Sequence, residues 1–364
     1  MSINCLARDE ALMTPVRQVG AGRRAGQLLP ASLQLGQTVG RATSLPARVQ
    51  LARSGNNTSQ LLAVKRYSLA GLLDSHSSEE DPTPHIQQEV AAMKQFQHPH
   101  LLSCLACWVV GSEVWLVSPA QPLGSLDQLL AVHHPAGLPE LAITLVVRDL
   151  CHALHYLHSQ GVVHRAVRAS HLLLAESGSV VLTGLRHATP LHSTGEARPN
   201  LYSFPLHGAA ANLPWLAPEI LQQNLLGYNE TSDMYSLAVT VCELGNGVVP
   251  FSEMPATLLM VEKLRGACPT LLDRTTDPGS EKDFSAALHQ LVSACSDLEN
   301  DRRPSARDLL HHPAIKPVRK SGVSLAALLD HPAPLTLHTG GEGEAEERGV
   351  DVVPGQGDFI HWSF

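Results

Sequence analysis

A change of pattern along the chain is the feature that most limits how this sequence can fold. Between residue 33 and about residue 117, short apolar segments rich in β-branched residues predict strands, and one segment with helical spacing, 86–96, interrupts them. From about residue 126 the apolar residues recur at helical spacing instead, most clearly in 138–159 and 230–246. Strands with one helix, followed mainly by helices, predict a single α+β domain built as two lobes.

Composition argues against several classes of function. The 364 residues have a formal net charge of −8, which argues against a general binder of nucleic acid or of anionic membranes. No apolar run approaches the roughly 20 residues that a membrane-spanning helix needs. Seven cysteines are scattered, and the one C-x-x-C pair, Cys104 and Cys107, has no second pair at zinc-site spacing. We therefore expect a reduced, soluble, intracellular protein without a metal site.

The composition also suggests where the domain begins and ends. Residues 1–32 are rich in Gly, Arg, Ala and Pro without periodicity, which predicts a disordered arm. Residues 317–364 are rich in Pro, Gly, Ser and Thr and include an acidic run, which predicts a flexible tail. Between them we expect a first lobe with its hinge at 33–122 and a second lobe at 123–316.

The first lobe contains a Lys and a Glu in a recognisable arrangement. Ala63-Val64-Lys65 ends a predicted strand, and Glu89 lies on the helix that follows. This order resembles the eukaryotic protein kinases, in which the Lys contacts the ATP phosphates and forms an ion pair with the Glu. The glycine-rich loop of that family is degenerate here, because only its first glycine, Gly40, remains. By the same resemblance, the Pro119 carbonyl and the Gln121 amide would face adenine at the hinge.

The second lobe keeps the kinase motifs in order but lacks their catalytic residues. Ala166 follows His164-Arg165 at the position where a kinase has the Asp that orients the substrate hydroxyl. His171 replaces the Asn, and Gly184 the Asp, that hold magnesium ions. None of the three replacements offers a side-chain oxygen, so we expect no phosphoryl transfer and no ordinary magnesium site.

Residues that support the kinase scaffold are retained. Glu219 and the distant Arg303 match the pair that links the activation segment to the lower lobe, and Asp233 matches the start of the central helix. The motifs together cover residues 33–316 and predict a bilobal protein-kinase-like fold, with a small antiparallel sheet plus one helix and a larger helical lobe. A retained scaffold without the chemistry predicts a pseudokinase, a protein that works by binding.

Several short segments indicate which kinase-like family the chain resembles most. They are His164 to His171, Gly184-Leu185-Arg186, Leu213 to Leu216, Gln222 to Leu225, Met254 to Thr257 and the terminal Trp362-Ser363-Phe364. These segments resemble the STRAD family (sterile-twenty-related adaptor), and two of them are closer to its alpha paralogue. The glycine-rich loop departs from that family.

The resemblance implies a function and partners. STRAD proteins bind and allosterically activate a serine/threonine kinase, liver kinase B, together with a helical-repeat scaffold of the mouse-protein-25 family. They also influence the location of that kinase between nucleus and cytoplasm, so we expect this chain in both. By this resemblance Trp362 and Phe364 would bind the scaffold, and the kinase would bind around the activation segment 187–212, Tyr228 and the helix near 254–264.

Three functions stay open from the residues alone. The first is the allosteric adaptor, the second is a pseudokinase scaffold for a different signalling kinase, and the third is an unconventional active kinase that recruits Asp149 or His171. The sequence also leaves open whether ATP binds. If it binds, Lys65, Glu89 and Arg186 favour binding without magnesium, with Arg186 supplying part of the missing positive charge.

Overall fold

The computed structural model covers most of the domain and part of the C-terminal segment. The residues described are 32–41, 47–55, 57–69, 83–193, 196–197, 212–222, 227–276, 282–331 and 333–337. The predicted arm up to residue 31, most of the glycine-rich loop, much of segment 187–212, and Trp362 and Phe364 lie outside these residues. Within the described residues, no helix is both long and apolar enough to cross a membrane.

The first lobe is a five-stranded sheet. Its strands are β1 (Leu33–Arg41), β2 (Ala47–Ser54), β3 (Asn57–Ser68), β4 (Ala106–Val110) and β5 (Glu113–Pro119). They lie in the order β1-β2-β3-β5-β4, and every neighbouring pair is antiparallel. Successive side chains of a strand point to opposite faces. In β2, Val49 and Leu51 lie on the buried face, and Arg48, on the other face, is exposed.

One helix, α1 (Thr83–Gln95), belongs to this lobe. Its buried residues Ile86, Glu89, Ala92 and Met93 form a stripe at helical spacing. Three of them are apolar and pack in the core. Glu89 is the exception, and a charged residue in an apolar stripe needs a buried partner.

The second lobe is helical. Its helices are α2 (Leu126–His133), α3 (Glu140–Ser159), α4 (Pro218–Leu221), α5 (Thr231–Asn246), α6 (Ala256–Leu264), α7 (Ala286–Cys295) and α8 (Ala306–Leu309). Short strand pairs accompany them: β6 (Val162–Val163) with β9 (Thr189–Pro190), β7 (Leu172–Leu174) with β8 (Val180–Leu182), and β10 (His192–Ser193) with β11 (Glu196–Ala197). The predicted α+β class with two lobes of a kinase-like fold is confirmed.

Helix α5 forms the centre of this lobe. It is buried along almost its whole length, and its buried hydroxyl groups at Ser236 and Thr240 donate hydrogen bonds to carbonyl oxygens one turn earlier. It ends at Gly247, which has a left-handed φ of +80°. A Cβ atom at Gly247 would lie 2.2 Å from the Pro135 carbonyl oxygen, so the close approach of these two loops requires glycine.

Glu219 and Arg303 form a buried ion pair with two parallel hydrogen bonds. Arg303 Nη1 donates to Glu219 Oε1 at 2.7 Å, and Nη2 donates to Oε2 at 2.9 Å. Ser232 Oγ donates to the same carboxylate, and Arg303 Nη1 also donates to the Thr231 carbonyl. The pair therefore links α4, the start of α5 and the loop before α8.

The C-terminal segment does not leave the domain at residue 317, as the sequence predicted. Val318, Leu325 and Leu329 are 5%, 1% and 5% exposed, and the chain contacts the domain as far as residue 337. The predicted boundary of the tail was therefore wrong. Composition rich in Pro, Gly and Ser is typical of a linker, but isolated leucines without periodicity can still fill grooves on a domain surface.

Reversing one charge of the Glu219–Arg303 pair should destabilise the domain. Glu219→Arg or Arg303→Glu alone places like charges in a buried site, and loss of one partner typically costs about 3–5 kcal/mol. The double variant restores opposite charges and should recover part of the loss. Urea unfolding of the parent and the three variants measures this. Arg302→Glu, at an exposed neighbour, is the control. Single variants as stable as this control would contradict a supporting role.

Candidate functional site

A buried ion pair joins β3 to α1 between the lobes. Lys65 Nζ lies 2.9 Å from Glu89 Oε1, and the hydroxyl of Tyr67 donates to the same carboxylate. Burial lowers the pKa of Lys65 to about 8, although Glu89 opposes this. Burial by itself would raise the pKa of Glu89, but Lys65 and the hydrogen bond from Tyr67 lower it overall. Glu89 thus has the partner that its place in the apolar stripe requires.

Asp233, at the start of α5, fixes the loop that contains Ala166. Its side chain is fully buried and accepts hydrogen bonds from the backbone N–H groups of His164 and Arg165, at 2.7 and 2.8 Å. His158 Nε2 lies 3.0 Å from the same carboxylate. Burial would raise the pKa of Asp233, but the interaction with His158 and the backbone donors lower it overall. Arg165 adopts a φ of +65°, a conformation that these bonds hold in place.

The side chain of His171 fills the space beside Gly184. His171 Nδ1 lies 2.6 Å from the Ala166 carbonyl oxygen, which orients the ring. Gly184 has a φ of +87°, and a Cβ atom there would lie 2.8 Å from that same nitrogen. Ala166, His171 and Gly184 are the three positions where the kinase motifs place catalytic and metal-binding residues. The imidazole of His171 therefore contacts both of the other positions.

Positive charge is concentrated around this imidazole. Arg186 is buried, its Nε donates to His187 Nε2 at 2.8 Å, and an Arg168 nitrogen lies 3.4 Å from His171 Nε2. Burial and the nearby guanidinium groups hold the pKa values of His171 and His187 well below the usual range for histidine. Both imidazoles are therefore neutral at pH 7, and the positive charge lies on Arg168, Arg186 and Lys65.

The donor set at this site does not fit magnesium. Hard cations need oxygen ligands, and Ala166, His171 and Gly184 supply none from their side chains. Within the described ranges, no group of three or more His, Cys, Asp or Glu side chains is placed to hold a metal ion. The guanidinium of Arg186 close by would repel a cation.

The positively charged side chains at this site, Lys65 and Arg186, suit an anion such as the polyphosphate of ATP. Nη1 of Arg186 is buried and has no hydrogen-bond partner in the described part of the chain. A buried donor without a partner is costly, and a phosphate oxygen is a strong acceptor for a guanidinium. Lys65 and Arg186 are the residues that would hold it. The loop after Gly40 and the adenine contacts of Pro119 and Gln121 stay predictions.

Comparison with known proteins identifies the family. A protein kinase domain model matches residues 39–315. The chain is 36% identical to the STE20-related kinase adapter protein alpha of Gallus gallus, over 70% of this chain and 75% of that protein. It is 35% identical to the Homo sapiens alpha protein over 71% and 68% of the two chains, and 32% identical to the Homo sapiens beta protein over 80% and 77%. The chain belongs to the STE20-related kinase adapter family.

This confirms the resemblance to STRAD, including the greater similarity to alpha than to beta. Relatives named as kinase adapters support a non-catalytic pseudokinase, in agreement with the residues around His171. The fold of the kinase domain is thus present in a family whose members are named kinase adapters.

Sequence reasoning missed Glu243, a buried carboxyl group on α5. Its Oε2 accepts hydrogen bonds from the Ala169 N–H at 3.2 Å and from Trp215 Nε1 at 3.0 Å. Burial raises the pKa of Glu243 to about 7. The Arg168 guanidinium lies 5.7 Å from the centre of the Trp215 ring. Glu243 therefore joins the Ala166 loop to the end of the activation segment. A lone acid in the apolar run Val239 to Leu244 was the available signal.

Sequence reasoning also missed Lys263, on α6. It is fully buried, and its Nζ donates to the carbonyl oxygens of Leu213, Pro214 and Leu216 at 3.1, 2.6 and 2.6 Å. Burial lowers the pKa of Lys263 to about 7. The three hydrogen bonds from one side chain form a rigid junction between α6 and the segment before α4. A lysine among apolar residues of α6 was the available signal here.

Replacing Glu243 with Gln should change how stability depends on pH. In the folded state the pKa of Glu243 is about 7, above the ordinary value of 4.5 for a glutamate. The stability that this group contributes is therefore complete below about pH 4.5 and is lost as the pH rises through 7. The shift corresponds to a loss on the order of 3 kcal/mol between these limits. The amide oxygen of Glu243→Gln can still accept both hydrogen bonds without a charge.

Thermal unfolding at pH 5 and pH 8 checks this expectation. The variant should be more stable than the parent at pH 8, and the difference should shrink at pH 5. Glu253→Gln, at an exposed position, is the control. An equal difference at both pH values would show that Glu243 is ionised in the fold.

Proposed function

We propose that this chain is a catalytically inactive adaptor that binds a partner serine/threonine kinase and stabilises its active conformation. The observation that supports this most directly is the filling of the Gly184 space by His171. It replaces a metal-binding arrangement with a packed one, while Glu219, Arg303 and Asp233 keep the lower lobe assembled. A domain of this kind can present a surface but has no groups for phosphoryl transfer.

Two chemical arguments support the absence of catalysis. Ala166 has no group to accept the proton of a substrate hydroxyl, and loss of such a group typically slows transfer about 10²–10⁴-fold. Magnesium would have neutralised the charge that develops on the phosphates. Fixed cations can bind phosphates, but a binding site without the base does not turn over.

Helix α6 supports a docking role for the lower lobe. Only Leu259 and Lys263 on this helix are buried. Leu258, Val261 and Leu264, three residues apart, are 46%, 42% and 42% exposed. Residues at this spacing lie along one face of a helix, so α6 presents an apolar ridge held rigidly by the Lys263 junction.

We infer that the partner kinase contacts this ridge and the activation segment, as a substrate would contact an active kinase. Tyr228, which the sequence placed on the same surface, is only 3% exposed, so that expectation was wrong. An adaptor that prefers the active conformation of its partner shifts the population toward it by the ratio of the two affinities. We further propose a partner of the liver kinase B type, a scaffold of the mouse-protein-25 family, and a location in nucleus and cytoplasm. The basis is the family to which the chain belongs.

The terminal aromatic residues support the scaffold as a third component. Trp362 and Phe364 are two residues apart, so an extended backbone points both rings to one side. Aromatic side chains dominate the binding energy of many interfaces. The domain contacts extend to residue 337, so 24 residues lie between the last contact and Trp362. Fully extended, that length reaches at most about 85 Å.

ATP should bind without magnesium, and its affinity should depend on Arg186. Removing one charge-assisted contact to a phosphate typically costs about 1.5–3 kcal/mol, so Arg186→Met should weaken binding roughly 10- to 100-fold. Thermal-shift titrations with ATP, with and without magnesium, measure this. Arg307→Met, at an exposed position, is the matched control. No shift in either condition would refute binding, and a shift seen only with magnesium would refute the role of Arg186.

The scaffold should require both terminal aromatics. Trp362→Ala with Phe364→Ala should weaken binding of a mouse-protein-25 type scaffold by tenfold or more without changing the unfolding temperature of the domain, because two interface side chains are lost. Phe359→Ala in the same tail is the control. Isothermal titration measures the affinity. Equal affinities of the double variant and the parent would contradict the role of the tail.

The adaptor function itself is tested with the partner kinase. The parent chain with the scaffold should raise the activity of a liver kinase B type enzyme, and Leu258→Asp with Val261→Asp on α6 should abolish the increase. Capture of a different kinase in its place would favour the alternative scaffold function. Magnesium-dependent phosphate transfer by the purified chain itself, surviving Lys65→Met but not Asp149→Asn, would establish the unconventional kinase instead.

A further inference from the structure

The last described residues, 333–337, run across the hinge from the second lobe to the first. Leu335 and Leu337 are half-buried, whereas Thr336 between them is exposed. This alternation is typical of an extended segment with one face on the domain. The N–H of Leu335 donates to the carbonyl oxygen of Pro122, in the hinge, at 3.0 Å.

The segment is held to the second lobe just before it reaches the hinge. Leu325 and Leu329 are 1% and 5% exposed. The N–H of Leu325 donates to the Gly178 carbonyl at 3.2 Å, and His134 Nε2 lies 3.0 Å from the Asp330 carbonyl oxygen. The chain therefore arrives at the hinge from a fixed position.

On the far side of the hinge the segment contacts β1. Gln37 Nε2 donates to the Thr336 carbonyl oxygen at 2.7 Å. A Cβ atom at Gly36 would lie 2.4 Å from Leu337 Cδ1 and 3.2 Å from its Cγ. Leu337 thus occupies the room that the missing side chain of Gly36 leaves. Both a polar and an apolar contact connect the segment to the first lobe.

We propose that residues 333–337 form an interlobe strap that limits the movement of β1 relative to the hinge. The described residues also connect the lobes through backbone hydrogen bonds of Leu182 with 100–102 and a bond from Gln88 to the Ala188 carbonyl. The strap adds a chain crossing beside the hinge to these contacts, which restricts rotation further. β1 leads directly into the glycine-rich loop, so the strap controls how far the cleft opens.

The strap is tested by hydrogen exchange of the full chain with single leucine substitutions. Leu337→Ala removes the contact with Gly36, whereas Leu328→Ala removes an exposed leucine from the same segment. Exchange in 33–41 and at the Leu335 amide should become about five- to tenfold faster in Leu337→Ala and should not change in Leu328→Ala. Amides of α5 should exchange as in the parent.

A second pair of variants tests the contact directly. Gly36→Ala should loosen the strap, because its Cβ displaces Leu337, and exchange of the Leu335 amide reports this from the other side of the contact. In the Leu337→Ala background the same substitution should have little further effect. The strap is refuted if Leu337→Ala behaves as Leu328→Ala does, if α5 exchanges faster by the same factor, or if Gly36→Ala acts equally in both backgrounds.

Discussion

The buried carboxylate of Asp233 is the interaction on which the rest of the site depends. It receives two backbone N–H groups from the loop before Ala166 and holds Arg165 in a left-handed conformation. Arg165 in turn donates to the carbonyl of His187 and to the hydroxyl of Tyr228. One ionised group on the central helix thus positions the loop, the activation segment and the lower-lobe surface together. Its loss would leave a buried donor network without an acceptor.

The sequence predicted the two lobes, the Lys65–Glu89 pair and the Glu219–Arg303 pair, because each rests on a local motif of known spacing. It did not predict that the C-terminal segment packs on the domain. The leucines of that segment have no regular period, so nothing local distinguishes them from those of a linker. It also could not predict that His171 fills the space beside Gly184, because both residues depart from the kinase motif and the motif says nothing about how their replacements pack.

Charge in the cleft follows one physical rule. Burial lowers the pKa values of His171, His187 and Lys65, so fewer of these side chains are protonated at the same time. The arginines keep their charge, and Glu89 is the acid paired with Lys65. This balance of charge is the basis of our proposal that the site binds phosphate rather than metal ions. The exposed apolar ridge on α6 is held by a different buried side chain, Lys263, which donates to three backbone carbonyl oxygens.

The contact between His171 and Gly184 also makes the loss of catalysis hard to reverse. An Asp introduced at 184 alone would place its Cβ 2.8 Å from the His171 ring, at a backbone φ of +87°. An Asn introduced at 171 alone would find no acidic partner at 184. Each single step back is therefore unfavourable or without benefit until the other has occurred. Restoring the metal ligands therefore requires both changes together, and Ala166 would still lack the group that orients a substrate hydroxyl.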